Sequence, residues 1–269
     1  MQPRPLARII IGCFLALLLI ACATPMPSPE AKAQLAPGGK LLAAINLGNP
    51  VLANKDPASG EVRGVSVDLA RELGRRLGAN VELVVFTGAG MVVEALRDRK
   101  VDVGFVAVDP VRGAEMLQSH PYVVIEGAYL VRNESSIRAN AEVDRAGNRV
   151  LVAQGSAYDL FLTREIKAAT LMRTQGSPNV VNDFLAQKLE VAAGVKQQLQ
   201  SDAQCVGGVR LLDGRFMVIN QAMGTQKGRD AGLAYLNSFI EEMKASGFVA
   251  QALARNGVEG AAVAPPAAK

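Results

Sequence analysis

Residues 95–122 read ALRDRKVDVGFVAVDPVRGAEMLQSHPY. Residues 101–108 are an apolar run of strand length, entered from a charged stretch and left through a loop that carries Asp109, Pro110 and Arg112. The same alternation continues in both directions. From Lys40 onward, apolar runs of strand length alternate with amphipathic segments of helix length, the pattern of an α/β fold. Strands are predicted at 41–47, 81–86, 101–108, 122–131, 149–153, 170–173, 190–195 and 215–221. A helix over 67–77 places Ala70, Leu73 and Leu77 on one stripe, has Asp68 in its first turn and stops before Gly78, so core face, dipole and stop signal agree. Leu233, Leu236, Ile240 and Met243 repeat that spacing near the end of the chain, with Glu241, Glu242 and Lys244 turned outward and Gly247 interrupting before a last helix.

The N-terminus bears on the compartment. Arg4 and Arg8 precede an unbroken apolar run over 9–21, too short to span a bilayer comfortably, and this is the form of an export signal over residues 1–21. The run ends Leu19, Ile20, Ala21, Cys22, the order of a bacterial lipoprotein cleavage box with Cys22 as the lipidated residue. Ala21 and Ala23 also form an A-x-A site, the alternative. Removal of that segment drops two arginines and no acid, so the formal charge of +4 becomes +2, with no basic stripe of the kind nucleic acid requires. Of the three cysteines, Cys13 leaves with the signal and Cys22 is claimed by lipid, which leaves Cys205 without an internal partner and no disulfide framework. Residues 22–39, rich in Pro, Ala and Ser, read as a flexible tether, and residues 258–269 as a frayed tail.

Four stretches taken in order resemble the family 3 extracellular solute-binding proteins of ABC transporters: GVSVDLARELGRRLGA at 64–79, the 95–122 segment, VAQGSAYDLFL at 152–162 and GRDAGLAYLNSFIEEMKASGFV at 228–249. The resemblance implies a two-lobed periplasmic-binding-protein type II fold. Lobe one would comprise residues 40–131 and 224–257, lobe two residues 132–223, joined by a two-segment hinge with the ligand in the cleft between them. It further implies a periplasmic monomer that captures a small polar, carboxylate-bearing solute, an amino acid or an organic acid, and hands it to ABC permease subunits, with no cofactor.

Within that frame Arg112 stands where the family's arginine grips a ligand carboxylate, a task suited to the planar guanidinium fork; without the resemblance it reads as a solvated surface arginine. Ser156 follows Gly155 at a predicted helix start, and either presents its hydroxyl and nearby amides to an anion or caps the helix. Asn49, in the loop after the first strand, and Asp109 complete the lobe-one contribution. Where the family holds a ligand ammonium with an acid a few positions after Glu190, this chain reads VAAGVKQQ. Lys196 there would favour a further negative charge or a carbonyl on the ligand, or else is a solvated helix residue. The glycine-rich turn at 88–90 reads as an ordinary turn.

The alternative is an enzyme on the same fold, as in the periplasmic cyclohexadienyl dehydratases, since fold alone does not set function. The single histidine, His120, falls in a QSHPY turn before a strand without a second zinc ligand at a suitable spacing, and Ser156 has no recognisable base. A dehydratase would require a carboxylic acid such as Glu126 or Glu190 in the cleft with a raised pKa.

Overall fold

The computed structural model describes residues 26–268; the signal segment and Cys22 lie outside them. The first elements are α1 (Pro29–Leu35), β1 (Lys40–Asn46), a short hairpin of β2 (Asn54–Lys55) and β3 (Val62–Arg63), α2 (Val65–Leu77), β4 (Asn80–Phe86), α3 (Ala89–Arg97), β5 (Val103–Ala107) and α4 (Pro110–Glu115). The long strand β6 (Met116–Arg132) follows. Next come β7 (Arg149–Ala153), α5 (Ala157–Glu165), β8 (Thr170–Thr174), α6 (Val180–Ala186), β9 (Val191–Val195), α7 (Lys196–Val206) and β10 (Val209–Leu211). The chain returns through β11 (Met217–Gln226) and ends with α8 (Asp230–Ala245), α9 (Phe248–Arg255) and β12 (Ala262–Val263).

One sheet runs through the molecule in the order β4-β1-β5-β11-β6-β9-β7-β8. Its ends are parallel trios: β1 lies between β4 and β5, and β7 between β8 and β9. β5 and β9 are buried at every residue, and β7 at every residue after Arg149, as expected of parallel strands covered by helices on both faces. The antiparallel pair β6 and β11 joins the trios. At about 3.3 Å per residue, the 17 residues of β6 reach across both lobes; β11 brings the chain back. The crossings therefore lie inside these strands. β6 is already paired with β9 from Gly127 to Leu130, ahead of the expected limit at residue 132.

Two expectations at the termini are corrected. In the segment read as a tether, α1 forms because Ser28 caps it by accepting from Ala31 N at 3.0 Å and Pro29 occupies its first position, signals that a reading by composition passes over. Ala31 and Leu35, one turn apart, are buried, and Gln34 Oε1 accepts from Gly232 N at 2.7 Å on α8. A Cβ on Gly232 would stand 3.0 Å from Leu35 Cδ2, so the glycine admits this close approach. In the segment read as a tail, β12 pairs with Val123 and Val124 on the stretch of the β6 edge that precedes β9, Ala264 is buried and Lys244 Nζ donates to Pro265 O at 2.8 Å. An otherwise open strand edge is covered in this way. His120 also belongs to β6 instead of to a turn before it; its backbone donates to Asn237 Oδ1 and its Nδ1 lies 2.9 Å from Glu241 Oε1, which fastens the strand to α8.

Candidate functional site

A cavity of about 450 Å³, measured out to its open mouth, lies between the lobes. Lobe one supplies the turn after β1 (Asn46, Gly48, Asn49), the start of α3 (Gly88, Ala89), Ala107 at the end of β5, and Arg112. Lobe two supplies Ala153, Gln154, Ser156, Ala157 and Tyr158 from the turn between β7 and α5, Gly176 and Ser177 after β8, and Val195 at the end of β9; Ile219 and Gln221 of the crossing strand β11 form the floor. Apart from Ile219 and Gln221, these groups come from the carboxyl ends of parallel strands or the helix starts that follow, the position where an open α/β sheet binds ligands.

Arg112 is held by the way its short helix begins. Asp109 caps α4 by accepting from Val111 N at 2.8 Å, and Pro110 opens the helix. The guanidinium, 3% exposed, donates through Nη1 to Ala107 O and through Nη2 to Gly155 O, both at 2.9 Å. Two of its five N–H donors are thereby committed. Burial pushes its pKa down to about 10, against the opposing pull of Asp109, so it remains a cation at neutral pH. Because Gly155 belongs to lobe two, the second of these bonds spans the cleft. A second bridge does the same: Arg164 Nη2 of α5 lies 2.9 Å from Asp109 Oδ2. Gly155 itself has φ +69° and comes so near lobe one that a Cβ there would sit 3.5 Å from Gly90 Cα.

The neutral polar groups divide into spent and unspent. Ser156 Oγ accepts from Asp159 N at 3.0 Å and so caps α5 while also lining the cavity. Tyr158 donates to Ser177 Oγ at 2.9 Å, and burial pushes its pKa up to about 12, which keeps the phenol neutral. Asn46 Oδ1 accepts from Gly48 N; a Cβ on Gly48 would come within 2.5 Å of Thr87 O, so only glycine lets this turn lie on the next one. Asn49 is different. Its Oδ1 is buried with no donor within reach, although a buried acceptor left unpaired costs roughly 1–3 kcal/mol. Gln221, 6% exposed, also brings an amide to the floor.

Of the expected residues, Arg112, Ser156 and Asn49 meet on one cavity. Asp109 and Lys196 do not line it. Asp109 is occupied by the α4 cap and Arg164. Lys196, the first residue of α7, turns to Glu126 Oε2 at 2.9 Å, while Val195 before it, the last residue of β9, lines the cavity. The turn at 88–90, read as ordinary, contributes Gly88 to the wall. Gln221, Tyr158 and Ser177 were not anticipated. Gln221 has a second amide, Asn220, directly before it in the crossing strand, and which of the two is buried is decided only once the partner lobe is in place. The two acids a dehydratase would draw on are elsewhere: Glu126 is paired with Arg215 and Lys196, and Glu190 with Arg149, and both are held below the usual carboxylate range by these partners. Among the described residues, no three His, Cys, Asp or Glu side chains gather as a metal site.

Comparison with known proteins places this geometry. The family of bacterial extracellular solute-binding proteins, family 3, matches residues 45–257. The histidine-binding periplasmic protein of Escherichia coli K12 is 25% identical over 203 residues, covering 71% of this chain and 77% of its own. The solute receptor for L-cysteine of Neisseria gonorrhoeae superposes with a TM-score of 0.74 at 21% identity, over 87% of this chain and 95% of that one. An ancestral amino acid-binding protein, a precursor of cyclohexadienyl dehydratase, gives 0.69 at 19% identity, over 81% and 95%. At these identities the two structures establish a shared two-lobed fold.

Proposed function

Because the chain belongs to the family 3 bacterial extracellular solute-binding proteins, we propose that it is the binding component of an ABC importer and closes around a small carboxylate-bearing solute in the inter-lobe cavity. The observation that carries this reading is the buried Arg112 guanidinium on the cavity wall, fixed by Ala107 O and reaching across to Gly155 O. It is a cation without a hydrogen-bonded carboxylate, poised where the lobes meet. A ligand carboxylate engaging its remaining donors would neutralise it by charge-assisted bonds, and the Asp109–Arg164 bridge would add to closure. Residues 132–223 are the proposed moving lobe, with β6 and β11 as the hinge; the ligand shifts an existing open–closed equilibrium in proportion to its preference for the closed form.

The histidine- and cysteine-binding relatives favour an amino acid or a similar small acid as solute. We place the mature chain in the periplasm, as its curated relatives are, tethered through Cys22 if the lipoprotein box is used. No helix among the described residues is long and apolar enough to cross a membrane. The ion pairs that hold the Glu126 and Glu190 carboxyls below the usual range, and the fact that neither lines the cavity, support binding without turnover. Small-angle scattering with and without a panel of small carboxylates tests the proposal: a hit should compact the protein and raise its Tm, and Arg112→Met should abolish both effects. Chemical conversion of a bound solute such as prephenate would favour the enzyme reading instead.

A further inference from the structure

The charges on the cavity wall restrict the ligand further. Of the 17 residues that line it, one is charged, Arg112, and none is a carboxylate. The acids nearest in the chain are committed elsewhere: Asp109 to Val111 N and Arg164, Asp159 to Gly155 N and Arg173. Glu94 lines a separate, outer opening beside Gly88, Gly90 and Gly155 and is exposed to solvent. The β9–α7 junction, which meets the cavity from lobe two, presents the isopropyl group of Val195, 7% exposed.

A monocarboxylate ligand brings the buried charge beside Arg112 to zero. A zwitterion leaves one ammonium in a closed, weakly polarisable space with no counter-ion, and an unpaired buried charge is strongly disfavoured. The wall does ask for a donor, because Asn49 Oδ1 is buried and unpartnered; a hydroxyl or amide N–H satisfies it at no cost in charge. Resting on the receptor reading above, we infer that the solute is a small carboxylate carrying a neutral hydrogen-bond donor and no ammonium group, with Val195 the residue that discriminates against amino acids.

Matched pairs that exchange hydroxyl for ammonium at constant shape test this directly: glycolate and glycine, L-lactate and L-alanine, L-malate and L-aspartate, titrated calorimetrically into the mature chain. Within a binding pair the hydroxy acid should bind at least tenfold more tightly. Val195→Asp should reverse that order; Asn49→Asp, nearly isosteric and on the facing wall, should do the same if the first variant fails to fold. An amino acid that binds the wild type as well as its hydroxy partner, or better, overturns the inference and leaves the receptor reading standing. Tight binding of a sugar or a polyamine with no hydroxy acid bound overturns the inference together with the carboxylate of the receptor reading, and leaves only capture of a small solute between the lobes. Absence of any ligand-induced compaction across acids, amino acids, sugars and polyamines removes both.

Discussion

An arginine stands at each end of strand β5, Arg229 half-buried and Arg112 buried, and the two are treated oppositely. At its start, Arg229 Nη1 lies 2.9 Å from Asp102 Oδ1, and the other oxygen of Asp102 accepts from Leu42 N. The charge there is cancelled and the carboxylate saturated. At its end, Arg112 donates only to two backbone carbonyls, and neutralisation is left to whatever enters the cavity. A buried cation with its own carboxylate is scaffold. One without it is a receptor for an anion, because the low dielectric that makes an unpaired charge costly also strengthens the bond to the partner that relieves it.

The contrast can be broken from either side. Asp102→Ala strands Arg229 and the Leu42 amide, and is expected to cost about 3 kcal/mol, read as a lower urea midpoint, while ligand affinity changes little. Arg112→Met is the converse: binding of the carboxylate should weaken at least 100-fold in a calorimetric titration, with stability within about 1 kcal/mol of wild type, since removal of a charge that lacks a carboxylate relieves desolvation.

Acid sharpens the comparison, because neutralised arginines depend on ionised partners. Arg76, held between Glu72 and Glu242, belongs with Arg229. The Glu72 carboxyl is pulled from its ordinary 4.5 to about 2, chiefly by Arg75 and then, against burial, by Arg76. A depressed folded-state pKa gives stability that is complete above pH 4.5 and lost as the pH falls toward 2. Glu72→Gln should therefore flatten the stability curve in that window by on the order of 2 kcal/mol. The smallest effect is expected at the cross-cleft bridge. Arg164 is partly exposed, so Arg164→Met should cost about 1 kcal/mol of closure, a fivefold weaker Kd with the binding enthalpy of the inner contacts retained. Asp109 is the poorer choice for this test because it also caps α4.

Much of the architecture was legible along the chain. The strand runs at 81–86, 149–153 and 170–173 and the helix at 67–77 were found within a residue or two of their observed limits, since hydrophobic periodicity is a local property. The resemblance directed attention to Arg112 and Ser156, and the structure brings both to the cavity. The misses share a cause. Leu35 and Ala264 lie in segments whose composition is too poor to fold alone, and they are ordered only because α8 and the uncovered edge of β6 are there to receive them.

The alternation of apolar runs and amphipathic helices, and with it an α/β chain, was determined by the sequence alone, because side-chain periodicity and capping act within a few residues. Which side chains face the cavity was decided by tertiary structure. Val195 and Lys196 are adjacent, yet the end of β9 turns the first inward and the start of α7 gives the second to an ion pair with Glu126. Asn49 likewise becomes an unsatisfied acceptor only once it is buried, for a hydrogen bond is lost to water by enclosure, and enclosure belongs to the fold as a whole.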